Sequence, residues 1–119
     1  MSTSLPQRFS FDDARVLVIG DVMLDKFRYG TVTRISPEAP VPVMHVASER
    51  TMLGGAGNVL ANLVALQCEC GLIAMIGADD AGRHCRQMIE ALDVDPELLV
   101  IAPARVTTLK TRLVSGSQQ

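Results

Sequence analysis

Aromatic residues make up only 3% of the 119-residue chain, and tryptophan is absent. Little is therefore available to stack on bases, which argues against a single-stranded nucleic-acid binder. Charge is scarce too: Asp, Glu, Lys and Arg together make up 20%, and the formal net charge of −2 offers no basic footprint for nucleic acid or an anionic membrane. No apolar run reaches the length needed to span a bilayer. The start, Met1-Ser2-Thr3-Ser4-Leu5-Pro6, lacks the charged beginning and apolar stretch of a secretory signal. Three cysteines, Cys68, Cys70 and Cys85, form neither a disulfide framework nor a zinc-ligand set, and read as reduced, buried thiols of a cytoplasmic protein.

What the chain does have is apolar material, 48% of it, enough for a core of one domain's size. Residues 1–13 read as an arm, with a short helical turn over Phe9 to Asp13. Ala14 to Gly20 is a β-branched run without polar alternation, as expected of a central strand covered on both faces. Asp21 and Asp25 follow it, in the position where open α/β sheets bind ligands, although capping is the commoner task of a loop Asp. From Lys26 to Thr51 the pattern turns polar and alternating, is broken by Pro37 and Pro40, resumes from Val41 with Pro42 inside the run, and suggests a small antiparallel flap outside the main sheet.

Met52-Leu53-Gly54-Gly55-Ala56-Gly57-Asn58 then supplies a bend able to approach a ligand closely, followed by the apolar run Val59 to Leu66. Val59, Leu63 and Leu66 predict the inner stripe of a helix, widened by Leu60 and Val64. Cys70 to Gly77 reads as a second buried strand, and Asp79 or Asp80 as the cap of a helix to Leu92. The core stripe of that helix is Cys85, Met88, Ile89 and Leu92, with Arg83, Arg86 and Glu90 in solvent. Leu98 to Ile101 completes a βαβ unit, which implies a parallel sheet. Val106 to Val114 alternates like the flap, and Ser115-Gly116-Ser117 signals a turn whose second arm does not follow.

Gly20-Asp21, the Gly54-Gly55 bend with Asn58, Gly77-Ala78-Asp79-Asp80-Ala81-Gly82 and Thr108-Leu109-Lys110-Thr111-Arg112 together resemble the N-terminal part of a ribokinase-like (PfkB-type) carbohydrate kinase. Gly20 to Asp25, Arg34 to Val43 and Gly54 to Val59 are similar, more narrowly, to the heptose 7-phosphate kinases that serve bacterial lipopolysaccharide core synthesis. The resemblance covers about residues 13–119. It implies an α/β fold with a doubly wound, mostly parallel sheet and a small antiparallel β-lid, about residues 26–51 and 106–119, through which full-length proteins form homodimers. It also implies that Asp25, Gly54, Gly55 and Asn58 hold the sugar, with Asp21 a weaker candidate. Lys110 and Arg112 are placed to reach a sugar phosphate, unless they are simply solvated.

ATP and Mg2+ are the cofactors that the family implies for the full-length enzyme. Its catalytic base lies in a Gly-Ala-Gly-Asp motif, whereas here the only Gly-Ala-Gly, Gly55 to Gly57, is followed by Asn58, and Asn is no general base. The expectation is therefore a fragment with sugar-binding elements, without catalytic, nucleotide or metal residues, and inactive alone. A Rossmann module is the first rival; Leu60 at its third glycine position weighs against it. A non-catalytic dimerisation module and another sugar or nucleoside kinase of the same superfamily are the others.

Overall fold

A computed structural model describes residues 9–116. The elements are β1 (Arg15–Ile19), β2 (Val22–Ile35), β3 (Pro42–Gly55), α1 (Ala56–Ala65), β4 (Glu69–Gly77), α2 (Asp80–Glu90), a 3-10 turn at Pro96–Leu98, β5 (Leu99–Ala102) and β6 (Leu109–Ser115). They form two three-stranded sheets, ordered β1-β4-β5 and β3-β2-β6. The first is wholly parallel, and β4, α2 and β5 make the expected βαβ unit. The expected helical turn at Phe9 to Asp13 is a non-helical turn closed by Ala14 N–H on Phe11 O. Residues 1–8 of the arm and 117–119 of the final turn lie outside the described residues.

One core serves both sheets. Leu72, Ala74 and Ile76 alternate on one face of β4 and meet Leu60 of α1, Cys85 and Ile89 of α2, and Val22, Leu24 and Leu53 at the root of the second sheet. Both helices thus cover the same face. Leu17 and Ile19 of β1 stay 52% and 70% exposed, and Met75 of β4 42%, because both helices lie on the opposite face and none of the described residues covers this one. The predicted stripe on α1 is displaced as well. Leu60 is buried and Val64 packs on the core, while Val59 and Leu66 are half-exposed, since a helix apolar on nearly all sides carries no periodic sign of which side turns inward. The stripe on α2 matches its expectation, with Cys85 and Ile89 buried and Met88 and Leu92 packed beside them. Burial pushes the Cys85 thiol up to about 11.

The flap is longer and more deeply rooted than 26–51. Its two 14-residue strands pair antiparallel from Val22↔Gly55 to Ile35↔Pro42, with register shifts near Gly30 and Arg34. It is also not purely antiparallel: β6 joins β2 in parallel, from Leu24↔Leu109 to Gly30↔Ser115. Parallel neighbours need a long connection between them, so this pairing has no local sequence signature.

A polar clamp delivers β6 to that place. Asp79 caps α2, its Oδ1 accepting from Gly82 N–H (2.8 Å) and from the Thr107 hydroxyl (2.6 Å), while Oδ2 accepts from Thr107 N–H (2.9 Å). The same hydroxyl oxygen accepts from Gly77 N–H at 2.8 Å, and Thr107 is only 4% exposed. The next residue, Thr108, receives Leu24 N–H on its carbonyl at 2.9 Å, which starts the β2–β6 ladder. The Thr107 hydroxyl, the Thr107 N–H and the Gly82 N–H hold the Asp79 carboxyl below its ordinary range. Among the described residues, no helix is long and apolar enough to cross a membrane.

Removing the hydroxyl leaves the Gly77 N–H without its acceptor and Asp79 Oδ1 with the Gly82 N–H alone. Thr107→Val is expected to cost about 1–3 kcal/mol in urea unfolding, and Thr108→Val, at an exposed site, far less. A carboxyl with a depressed native pKa stabilises above its unfolded pKa and loses that contribution as pH falls through the native value. Stability is therefore expected to decline from about pH 4 downward, and Asp79→Asn to flatten that decline in unfolding curves taken across the range.

Candidate functional site

The candidate site is assembled at the root of the long hairpin, where β3 passes into α1 without a loop. Gly55 makes that passage with φ 59° and ψ −131°, backbone that L side chains rarely adopt, and a Cβ there would strike the Asp21 carbonyl oxygen. That carbonyl instead accepts Ala56 N–H at 2.8 Å, fastening the start of α1 to the end of the β1–β2 link. Asp21 thus contributes main chain to the elbow, while its side chain is exposed.

Gly54 lies opposite Met23, and the Asp25 side chain leans over it. A Cβ at 54 would stand 2.6 Å from Asp25 Oδ2 and 2.8 Å from Met23 Cγ, so the carboxylate occupies space that only glycine leaves free. Asp25 belongs to β2, its side chain 19% exposed. Its Oδ1 is enclosed and makes no hydrogen bond of good geometry within the protein. What meets it is the Lys110 ammonium, 3.0 Å away and 45% exposed. A half-exposed ion pair of this kind contributes about 0–1 kcal/mol, weak enough for a ligand to open.

Two residues further along the same face of β2, Phe27 receives the Arg112 guanidinium 5.7 Å from its ring centroid and stacks on Tyr29, centroids 6.5 Å apart. Asn58, in the first turn of α1, is exposed and lines an open cleft of about 220 Å³ with Arg50, Thr51, Met52, Ala61 and Met88. Met52 pairs with Asp25 across the strands, which makes cleft and carboxylate neighbours around the β3 edge.

Of the residues singled out from sequence, Asp25, Gly54 and Lys110 are therefore in contact, Arg112 adjoins them through Phe27, and Gly55 sets the elbow. Asn58 stands one strand edge away, and Asp21 offers a carbonyl. Phe27 was not anticipated; its signal was the spacing Asp25, Phe27, Tyr29, legible as one face once β2 is known to start at Val22.

The start of α2 is not free for a phosphate. The first N–H of α1 is spent on Asp21, and the N-terminus of α2 is filled by the Asp79 carboxylate, itself an anion. Among the described residues, no three His, Cys, Asp or Glu side chains gather as metal ligands. What the described residues bring together here is one carboxylate, Asp25, with the Lys110 ammonium against it and the Arg112 guanidinium beside them over Phe27.

The pattern of the pfkB family carbohydrate kinases matches residues 13–119, and the chain belongs to that family. Among curated relatives, the bifunctional protein HldE of Caulobacter vibrioides is 55% identical over 115 residues, covering 97% of this chain and 23% of the relative. That of Paramagnetospirillum magneticum is 50% identical over 105 residues, covering 87% and 21%. The chain thus spans about a quarter of the length of the curated relatives it matches. Among solved structures, a carbohydrate kinase from Agrobacterium tumefaciens superimposes with a TM-score of 0.67 at 24% identity, over 86% of this chain and 32% of that one. The ribokinase of Cryptococcus neoformans in complex with ADP gives 0.62 at 24% identity, over 89% and 32%. The fold is ribokinase-like.

Substitutions at the two elbow glycines separate fold from site. Gly55→Ala is expected to lower the thermal midpoint, the forced backbone costing about 1–3 kcal/mol. Gly54→Ala is expected to displace the Asp25 carboxylate and break its pairing with Lys110, seen as a shift of the Asp25 side-chain resonance in carboxyl-detected NMR.

Proposed function

We propose that the full-length protein transfers the γ-phosphoryl group of ATP to a sugar phosphate. The acceptor in this reading is D-glycero-β-D-manno-heptose 7-phosphate, converted to the 1,7-bisphosphate on the route to ADP-heptose and lipopolysaccharide core. Membership of the carbohydrate kinase family supports the reaction class. The similarity of Gly20–Asp25, Arg34–Val43 and Gly54–Val59 to heptose 7-phosphate kinases supports the acceptor, and the HldE relatives support it further. The observation that carries the reading is the enclosed Asp25 carboxylate over Gly54, with an unbonded oxygen and one displaceable cation.

In this reading Asp25 accepts hydrogen bonds from sugar hydroxyls, and Asn58, which offers an acceptor and two donors, meets the sugar from the cleft side. Gly54 and Gly55 let the backbone lie against it. Lys110 turns from Asp25 towards the sugar's phosphate when the hydroxyls arrive. ATP supplies the phosphoryl group, and this reading assigns the base and the anion site for its transfer to the part of the full-length protein that lies outside this chain. These residues hold the acceptor in position, which is the larger part of phosphoryl-transfer catalysis that a sugar-binding half can supply. Homodimerisation belongs to the same reading, supported by the β3 and β6 edges and by Val46 and Leu113, which are 43% and 63% exposed on the lid.

Coupled ADP release with heptose 7-phosphate tests the reading. The full-length protein is expected to turn over, and Asp25→Asn to lower kcat/KM about 10- to 100-fold, the loss of a hydrogen bond to a charged group. Residues 1–119 alone are expected to show no turnover. Turnover by that chain would overturn the assignment of the base elsewhere, and inactivity of the full-length protein towards sugar phosphates would overturn the acceptor.

A further inference from the structure

Two methionines flank the carboxylate at the elbow. Met52 is directly opposite Asp25 in the antiparallel pairing of β3 with β2, so the two side chains leave the same face with Cβ atoms about 5 Å apart. Met23 precedes Asp25 by two residues on β2 and shares that face. Its Cε stands 3.2 Å from where a Cβ at position 55 would be, so its thioether chain lies along both elbow glycines. Met88 of α2 approaches from the other side, in the wall of the cleft that Met52 and Asn58 also line. Three of the five methionines among the described residues thus border the elbow and its cleft.

Access separates them. Met52 is 36% exposed, whereas Met23 and Met88 are partly covered. The thiols compete poorly for an oxidant, because a thiol reacts through its thiolate. Burial holds Cys85 and Cys70 in the thiol form, pushing the former up to about 11 and raising the latter as well. Cys68 and Cys70 also lie beyond the far end of α1 from the elbow. A thioether has no proton to lose, so its sulfur lone pair is available at any pH and access alone limits its oxidation to the sulfoxide.

We propose that Met52 is a site of reversible oxidation by hydroperoxides, and that its sulfoxide weakens binding of the acceptor sugar at Asp25. The sulfur lone pair attacks the terminal peroxide oxygen: an S–O bond forms, the O–O bond breaks, and the proton of the attacked oxygen leaves with the departing oxygen as alcohol or water. The sulfur is oxidised by two electrons and the peroxide is reduced by two. A flexible apolar side chain becomes a polar one. Its new oxygen carries partial negative charge beside a carboxylate, competes with Asp25 for hydroxyl donors and narrows the way from the cleft to it. The effect on the acceptor rests on the kinase reading above; the modification itself does not.

The test treats the full-length protein with hydrogen peroxide, removes the peroxide, and reads two quantities. One is the oxygen added to the Met52 peptide, by mass spectrometry; the other is KM for heptose 7-phosphate by coupled ADP release, as the ratio of treated to untreated protein. Met52 is expected to gain one oxygen before Met23 and Met88 do, with KM rising about tenfold, the scale of one impaired hydrogen bond to a charged group. In Met52→Leu the ratio is expected to stay close to unity, whatever the variant's own starting KM. Met75→Leu, on the bare face of β4, is expected to respond as the wild type does. Methionine sulfoxide reductases are expected to restore KM, and dithiothreitol, which reverses thiol oxidation but not a sulfoxide, is not. A Met52 peptide without added oxygen, an oxidised Met52 with unchanged KM, or recovery in dithiothreitol alone overturns this inference and leaves the kinase reading standing. No ADP release by the untreated protein overturns the kinase reading and the effect on the acceptor together.

Discussion

An aspartate carboxylate fills the space that any side chain at position 54 would need, and much of the molecule is arranged to keep it there. Asp25 can lean over β3 only because Gly54 has no Cβ. Gly54 stays in register with Met23 only because Gly55 turns the chain straight into α1 and the Asp21 carbonyl fastens that turn. The elbow is held from below by Val22, Leu24 and Leu53, all buried in the common core. The carboxylate proposed to meet the sugar, which would be mobile on a loop, is thereby carried on a strand whose root cannot shift independently of the helix beside it.

The cations facing that carboxylate come from the far end of the chain by a separate device. Asp79 satisfies the start of α2 and, with its remaining capacity, captures Thr107; the ladder of β6 begins at the following residue. The cap of a helix and the delivery of Lys110 and Arg112 are thus one hydrogen-bonded unit. Loss of that unit would loosen the third lid strand, although Asp79 and Thr107 touch neither candidate ligand group.

Features governed by local backbone demands could be read from the residues. The glycine run announced the elbow, Asp79 announced a helix start, and the alternation of helix and strand from Gly71 to Ile101 announced parallel pairing. Asp25, Gly54 and Lys110 were singled out by motif, and their contact is a property of the fold. Features set by what lies opposite were not legible. Val16 to Ile19 has the composition of a strand covered on both faces, yet among the described residues one face of β1 is bare, with Ile19 70% exposed. The uniform apolarity of α1 concealed its inner side, and the pairing of β6 with β2 depends on a clamp between residues 28 apart.

In the proposed function the Asp25 carboxylate, seated over Gly54, receives the hydroxyls of the acceptor sugar. A crystal structure of the full-length protein with heptose 7-phosphate bound tests it most directly. The expected result is a sugar hydroxyl within hydrogen-bonding distance of an Asp25 carboxylate oxygen, with the Lys110 ammonium withdrawn from it. A sugar bound elsewhere, with the 3.0 Å contact between Asp25 and Lys110 intact, would contradict it.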